Sequence, residues 1–167
     1  MRDLEDATGL RASSLYHNFG NKESLFLQVL DFYIESVIEP RISKYLNHEN
    51  PILGIEQFFT SCFIELPNES RGMACLAVNT VAELASKNED IRIRLVSGEE
   101  VIKMNFKQAI KRAQLKEQIS KDIDINNLVN QLCLTLNGLL LASKLVKNEY
   151  EIVSASKASL SLLLKSA

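Results

Sequence analysis

Leu4-Glu5-Asp6-Ala7-Thr8-Gly9-Leu10-Arg11-Ala12-Ser13-Ser14-Leu15-Tyr16-His17-Asn18-Phe19-Gly20-Asn21-Lys22-Glu23-Ser24-Leu25 is the stretch from which the fold is read. Leu4 and Ala7 share one helical face, Leu15 and Phe19 are spaced i, i+4, and Gly9 permits a turn with positive φ. Two short helices around a glycine turn, each with a few inward apolar residues, meet the requirements of a helix-turn-helix. The second helix, expected over residues 12–19, presents Arg11, Ala12, Ser13, Ser14 and His17 near its N-terminus. Small side chains there let the backbone approach a major groove, and hydroxyls bond bases or phosphates. Asn21 is placed to cap the next helix, with Lys22 in a first turn whose free N–H groups and dipole favour a phosphate. On periodicity alone, an ordinary pair of core helices fits the same residues.

Periods of three and four continue through the rest of the chain, where glycine and proline are scarce, at 6 and 3 of 167 residues. The pattern predicts an all-α protein of seven or eight helices. They cover about residues 1–8, 12–19, 22–45, a segment opened by Pro51 and carrying Phe58, Phe59 and Phe63, then 72–85, 89–115, 124–145 and 149–165. Pro40 falls inside the third and should kink it or end it early. Residues 72–85 are apolar nearly all round and read as a buried central helix. Gly98 is a weak point in the helix that follows, and Asp124 is a capping residue.

Bulk charge argues for no particular partner. The formal net charge is −2 with 24% charged residues, so a nucleic-acid reading has to rest on the local motif. Cys62, Cys75 and Cys133 are widely separated and form no C-x-x-C pair, which argues against zinc or a thioredoxin-like centre. With no leader sequence in view they read as reduced thiols of a cytoplasmic protein. No apolar run approaches the roughly 20 residues of a membrane span. His17 and His48 stand outside any E-x-x-H or H-x-x-x-H arrangement, and no phosphate loop or nucleophile elbow occurs. Neither a cofactor, a metal nor an enzymatic activity is expected.

Residues 8–25 closely resemble the end of the TetR-family DNA-binding domain. A glycine turn precedes the recognition helix, a Tyr-x-x-Phe pair (Tyr16, Phe19) ends it, and Lys-Glu-x-Leu (Lys22 to Leu25) opens the next helix. The resemblance implies that Tyr16 and Lys22 touch phosphates and that Ser13, Ser14 and His17 lie at or near base edges. Arg11 stands where a serine or threonine cap is usual, and could reach DNA itself. Arg71-Gly72-Met73-Ala74-Cys75-Leu76-Ala77-Val78-Asn79-Thr80-Val81-Ala82-Glu83-Leu84-Ala85 resembles the central helix of one large group of such regulators. The family begins with a further helix of about four turns, ahead of the segment that starts here at Met1. A truncated helix-turn-helix head is therefore expected to bind DNA poorly by itself. The alternative is a ligand-binding and dimerisation module that no longer binds DNA.

Resemblance then implies a partial head with its connecting helix over residues 1–45 and an effector-binding, dimerising domain over 46–167. It implies a homodimer on palindromic operator DNA, usually repressing, and released by a small-molecule effector. Asn79, Thr80 and Glu83 interrupt an apolar helix and need partners, either neighbouring helices or a ligand. With Phe58, Phe59, Cys75 and Phe106 as apolar lining, Asn79 and Glu83 are the candidates for an effector pocket; Cys75 reads equally as a structural thiol. The last two helices carry Leu128, Leu132, Leu136 and Leu139, then Ile152, Ala155, Ser159, Leu162 and Leu163. With Gly138, Ser154, Ala158 and Ser161 allowing close approach, they are the expected dimer contact, or an intramolecular hairpin.

Overall fold

Gly9 adopts φ 69° and Gly20 φ 81°, and these two left-handed residues end the first two helices of a computed structural model that describes residues 1–64, 75–146 and 148–165. Helix α1 (Arg2–Thr8) closes with the Gly9 N–H on the Glu5 carbonyl, and α2 (Ala12–Phe19) with the Gly20 N–H on that of Tyr16. The Asn21 side chain accepts the Ser24 N–H and starts α3 (Lys22–Tyr33), the role expected of it.

Pro40 neither ends nor breaks the third helix. A five-residue π segment, Ile34–Ile38, joins α3 to α4 (Glu39–Leu46), and the Glu39 N–H bonds the Ile34 carbonyl five residues back. A proline lacks the N–H for the regular ladder and its ring crowds the carbonyl four residues earlier. Widening the helix by one residue just ahead of Pro40 accommodates both defects without a stop.

Helix α5 (Pro51–Ile64) is the axis of the larger domain, flanked by α4, α7 (Glu89–Leu115) and α9 (Glu149–Lys165). Helix α8 (Ile125–Ala142) packs between α7 and α9. Its Asp124 cap accepts the N–H groups of Asn126 and Asn127. The core is built on Phe58, Phe59 and Phe106, whose ring centroids lie 5.4–6.4 Å apart, edge-on or tilted. Ile38, Ile42, Tyr45 and Leu46 join this core, so the helix leaving the head is built into the larger domain. A smaller cluster of Leu30, Ile91 and Leu95, with Phe26, Leu27 and Leu84 against it, fixes α3 on α6 (Leu76–Leu84) and α7. Among the described residues no helix is long and apolar enough to cross a membrane.

Two expectations need correction. The central helix over 72–85 is shorter and less buried than its composition suggests. Helix α6 starts at Leu76, Arg71 to Ala74 lie outside the described residues, and Thr80 is its one buried side chain. Val81, Ala82 and Glu83 face outward; an apolar composition does not specify burial when neighbours cover one side only. The leucine stripe of the penultimate helix also points the other way. Leu128, Leu132 and Leu136 fill this chain's own core, as does Ile152 of α9. Leu139, Ser159 and Leu163 are half-buried.

Candidate functional site

The head presents one polar surface. Arg11, Ser13, Ser14, Tyr16, His17 and Lys22 are all exposed, while Leu15 turns inward and is buried. An eight-residue helix with a single buried anchor necessarily gives its remaining faces to solvent or a partner. Arg11 stands in extended conformation at the N-cap and makes no side-chain cap. The Glu5 carboxylate takes that role from α1, accepting the Ala12 N–H at 2.6 Å. A carboxylate at a helix N-terminus complements its dipole, and the bond also holds α1 against α2. Sequence reasoning missed Glu5 because the cap is seven residues away and belongs to another helix. Leu4 is half-buried and Ala7 exposed, so the apolar face drawn through both is not covered at Ala7.

In the larger domain Tyr33, Ile38, Arg41, Phe58, Cys62, Cys75, Ile102, Leu136 and Leu140 line a small, partly open cavity of about 50 Å³. Larger concavities, such as the groove of about 430 Å³ between α5 and α9, open to solvent. Of the six candidate pocket residues, Phe58 and Cys75 reach the cavity. Phe59 and Phe106 are wholly buried behind Phe58. Asn79 accepts a hydrogen bond from Lys144 Nζ at 2.9 Å, Thr80 bonds its own helix at the Leu76 carbonyl, and Glu83 faces outward. The polar interruptions of α6 are thus explained by neighbours and solvent.

Polar chemistry in the cavity comes instead from Tyr33 and Arg41, which the sequence left unmarked, set against the thiols of Cys75 and Cys62. The Tyr33 hydroxyl donates to Cys75 Sγ at 3.4 Å. Arg41 Nη1 lies 3.9 Å from Cys62 Sγ, whose own S–H donates to the Phe58 carbonyl. Burial pushes the Cys62 thiol up to about 11, against the opposing pull of the Arg41 guanidinium, and holds Tyr33 well above the usual tyrosine range. Tyr33 and Arg41 stand on either side of the π segment, which rotates their backbone positions relative to a regular helix. That register, invisible in the sequence, puts both on the cavity.

A third surface lies on α8 and α9. Gln131, Leu134, Gly138 and Leu141 recur on α8 at spacings of three and four, and all are exposed, Leu134 by 73%; Leu145, exposed by 86%, follows in the turn beyond the helix. The adjacent α9 exposes Ser154, Ala155, Ala158 and Leu162. An alternating stripe with small residues and no cover is the geometry by which helices pack on another copy.

Comparison with known proteins agrees with this architecture. The tetracyclin repressor-like C-terminal domain family matches residues 58–159. The HTH-type transcriptional repressor ComR of Escherichia coli (strain K12) is 24% identical over 145 residues, 86% of this chain and 69% of that protein. The nucleoid occlusion factor SlmA of Marinomonas sp. (strain MWYL1) is 23% identical over 149 residues, covering 89% and 73%. Among solved structures, a cysteine mutant of the TetR family transcriptional regulator CifR, complexed with 26bp double-strand operator DNA, superposes with a TM-score of 0.82. Its identity is 20%, over 96% of this chain and 84% of that one. With the C-terminal domain family matching residues 58–159, more than half of the chain, the protein belongs to the TetR family of regulators.

Proposed function

We propose that this protein is a DNA-binding transcriptional regulator of TetR type, a repressor released by a small-molecule effector, acting in the cytoplasm as a homodimer. The observation that carries the reading is the exposed row Arg11, Ser13, Ser14, Tyr16, His17 and Lys22 around α2. In this reading Tyr16 and Lys22 hold phosphates and fix the register, while Ser13, Ser14 and His17 meet base edges and Arg11 reaches the groove margin. The exposed stripes of α8 and α9 pair two chains, and the two-fold axis sets two α2 helices on a palindromic operator. The functional division falls near residue 45, with the head and its connecting helix on one side and the effector-binding and dimerising part on the other. The effector acts at the cavity between Phe58 and Cys75, and the continuous helix from Lys22 to Leu46 carries its effect to the head.

The test is a salt-titrated binding assay on DNA from upstream of the protein's own gene. Expected are saturable binding, weaker for this chain than for a form extended by the family's first helix, with affinity falling steeply with salt, a protected palindrome, and loss of affinity on every sequence for Lys22→Ala. For His17→Ala the expected loss is confined to particular base pairs. Equal, weak binding of operator and random DNA by wild type and both variants would overturn the reading.

A further inference from the structure

The cavity carries an unusual combination: two thiols, Cys62 from α5 and Cys75 at the start of α6, on one small, partly open space of about 50 Å³. Pockets that take drug-sized effectors run to roughly 300–1,000 Å³. A space this small admits only a molecule of a few heavy atoms unless the walls move. We propose that Cys62 and Cys75 form a hydroperoxide-oxidised thiol pair whose conversion to a disulfide re-sets the helix bearing the DNA head. The chemistry stands on the cavity alone; its regulatory sense rests on the function proposed above.

The two sulfurs have different roles. Cys75 is half-buried, whereas Cys62 and Cys133 are buried, and burial pushes both of these up to about 11, so they keep their protons at neutral pH. Cys75, the most accessible of the three sulfurs, is therefore the first target, and the Tyr33 hydroxyl donates to its Sγ at 3.4 Å, a bond that also serves the thiolate form that reacts. That thiolate attacks one oxygen of the hydroperoxide and the O–O bond breaks. Sulfur keeps one oxygen as a sulfenic acid, and the other departs with a proton as an alcohol, or as water from hydrogen peroxide. The Cys62 sulfur then attacks Cys75 Sγ, the S–O bond breaks, and hydroxide leaves with the Cys62 proton as water. The two thiols lose two electrons and the hydroperoxide gains them.

Arg41, 3.9 Å from Cys62 Sγ, lowers the cost of negative charge on the attacking sulfur. Both sulfur partners, Tyr33 and Arg41, belong to the helix that runs from the head through the π segment. Joining the sulfurs removes the thiols those two side chains contact, and so biases that helix. Cys133 does not line the cavity and serves as the internal control.

The experiment treats the full reduced chain with hydrogen peroxide at neutral pH, quenches with iodoacetamide, and reads intact mass and cysteine peptides. Expected are the loss of two hydrogens per chain and a Cys62–Cys75 linked peptide. Cys133→Ser should behave like wild type, and Cys62→Ser should stop at a Cys75 sulfenic acid trapped by dimedone. A bond to Cys133, a Cys75 that still alkylates, or sulfenic acid accumulating in the native chain would each overturn the pairing. With promoter DNA present, oxidation should shift affinity by about tenfold, within the usual range of allosteric coupling, in wild type and Cys133→Ser but not in Cys62→Ser. If the disulfide forms and DNA bound by the reduced chain is held equally well, the regulatory sense is overturned. If neither form binds DNA, it is the proposed function that fails, while the mass readout still decides the thiol chemistry.

Discussion

Arg94 Nε lies 3.0 Å from both carboxylate oxygens of Asp31, tying α7 to α3 at the point where the head joins the larger domain. A second tie, from the Asn88 side-chain amide to the Glu23 carboxylate, lies nearer the head. The apolar cluster of Leu30, Ile91 and Leu95 packs between the same two helices. Apolar burial supplies the adhesion, and the polar pairs set the orientation.

Asp31 and Arg94 are each about two-fifths exposed, at 43% and 36%. An ion pair so open to solvent contributes roughly 0–1 kcal/mol to stability. Arg94→Gln should therefore leave the urea midpoint nearly unchanged. Under the proposed function it should alter operator affinity, because the head loses one fixed contact with the effector domain. A variant losing several kcal/mol of stability would show that the pair is structural instead.

Gly54 permits a close approach of α5 to the end of α4. A Cβ built there would overlap the Tyr45 carbonyl oxygen and lie 2.9 Å from His48 Cβ. Backbone cannot move aside as a flexible side chain can, so Gly54→Ala should force α5 away from α4. Overpacking of this kind costs about 1–3 kcal/mol, and here it exceeds the gain in helix propensity from replacing glycine. Chemical denaturation of the variant checks the sign, and a stabilised Gly54→Ala would contradict the crossing.

Alkaline pH should destabilise the reduced protein. Cys62 and Cys133 are both pushed up to about 11 by burial, from an ordinary value of 9.0. Between those values an unfolded chain releases the protons while the folded one keeps them, so the unfolded state binds fewer and stability falls as pH rises. The contribution is complete below about pH 9 and is lost through about 11, at roughly 2–3 kcal/mol for Cys62 and less for Cys133, whose thiol is partly screened by solvent. Tyr33, also raised, adds in the same direction. Unfolding midpoints at pH 8 and 10.5, with reductant present, measure the fall; a flat profile would mean the thiols are solvated.

Ala158 and Leu134 are exposed on α9 and α8. Replacing Ala158 by Arg, or Leu134 by Glu, places an unpaired charge in the proposed contact between copies. Neither site is buried within one chain, so both variants should fold normally and run as monomers in light scattering. Persistent dimers with wild-type stability would place the interface elsewhere.

The order of helices and their punctuation were legible in the sequence for local reasons. Gly9 supplies a left-handed turn, Asn21 and Asp124 bond the N–H groups two or three residues ahead, and Pro51 opens α5. Each is settled within a few residues by backbone geometry. The polar face of α2 was legible for the same reason, since a helix with Leu15 inward and Phe19 half-buried leaves Ser13, Ser14, Tyr16 and His17 outward.

Tertiary structure decided what depends on which neighbour stands opposite. Periodicity found leucines on α8 but could not tell the face bearing Leu132 from the face bearing Leu134, because both repeat at helical spacing. It could not foresee Glu5 capping α2, or α6 half-exposed beneath an apolar composition. Least legible was the cavity: Cys62 and Cys75 come from other helices than Tyr33 and Arg41, and the π segment ahead of Pro40 sets those last two in register. Capping and turn formation are local equilibria. A cavity is what remains when distant side chains fail to fill a space, and only the packed chain determines that.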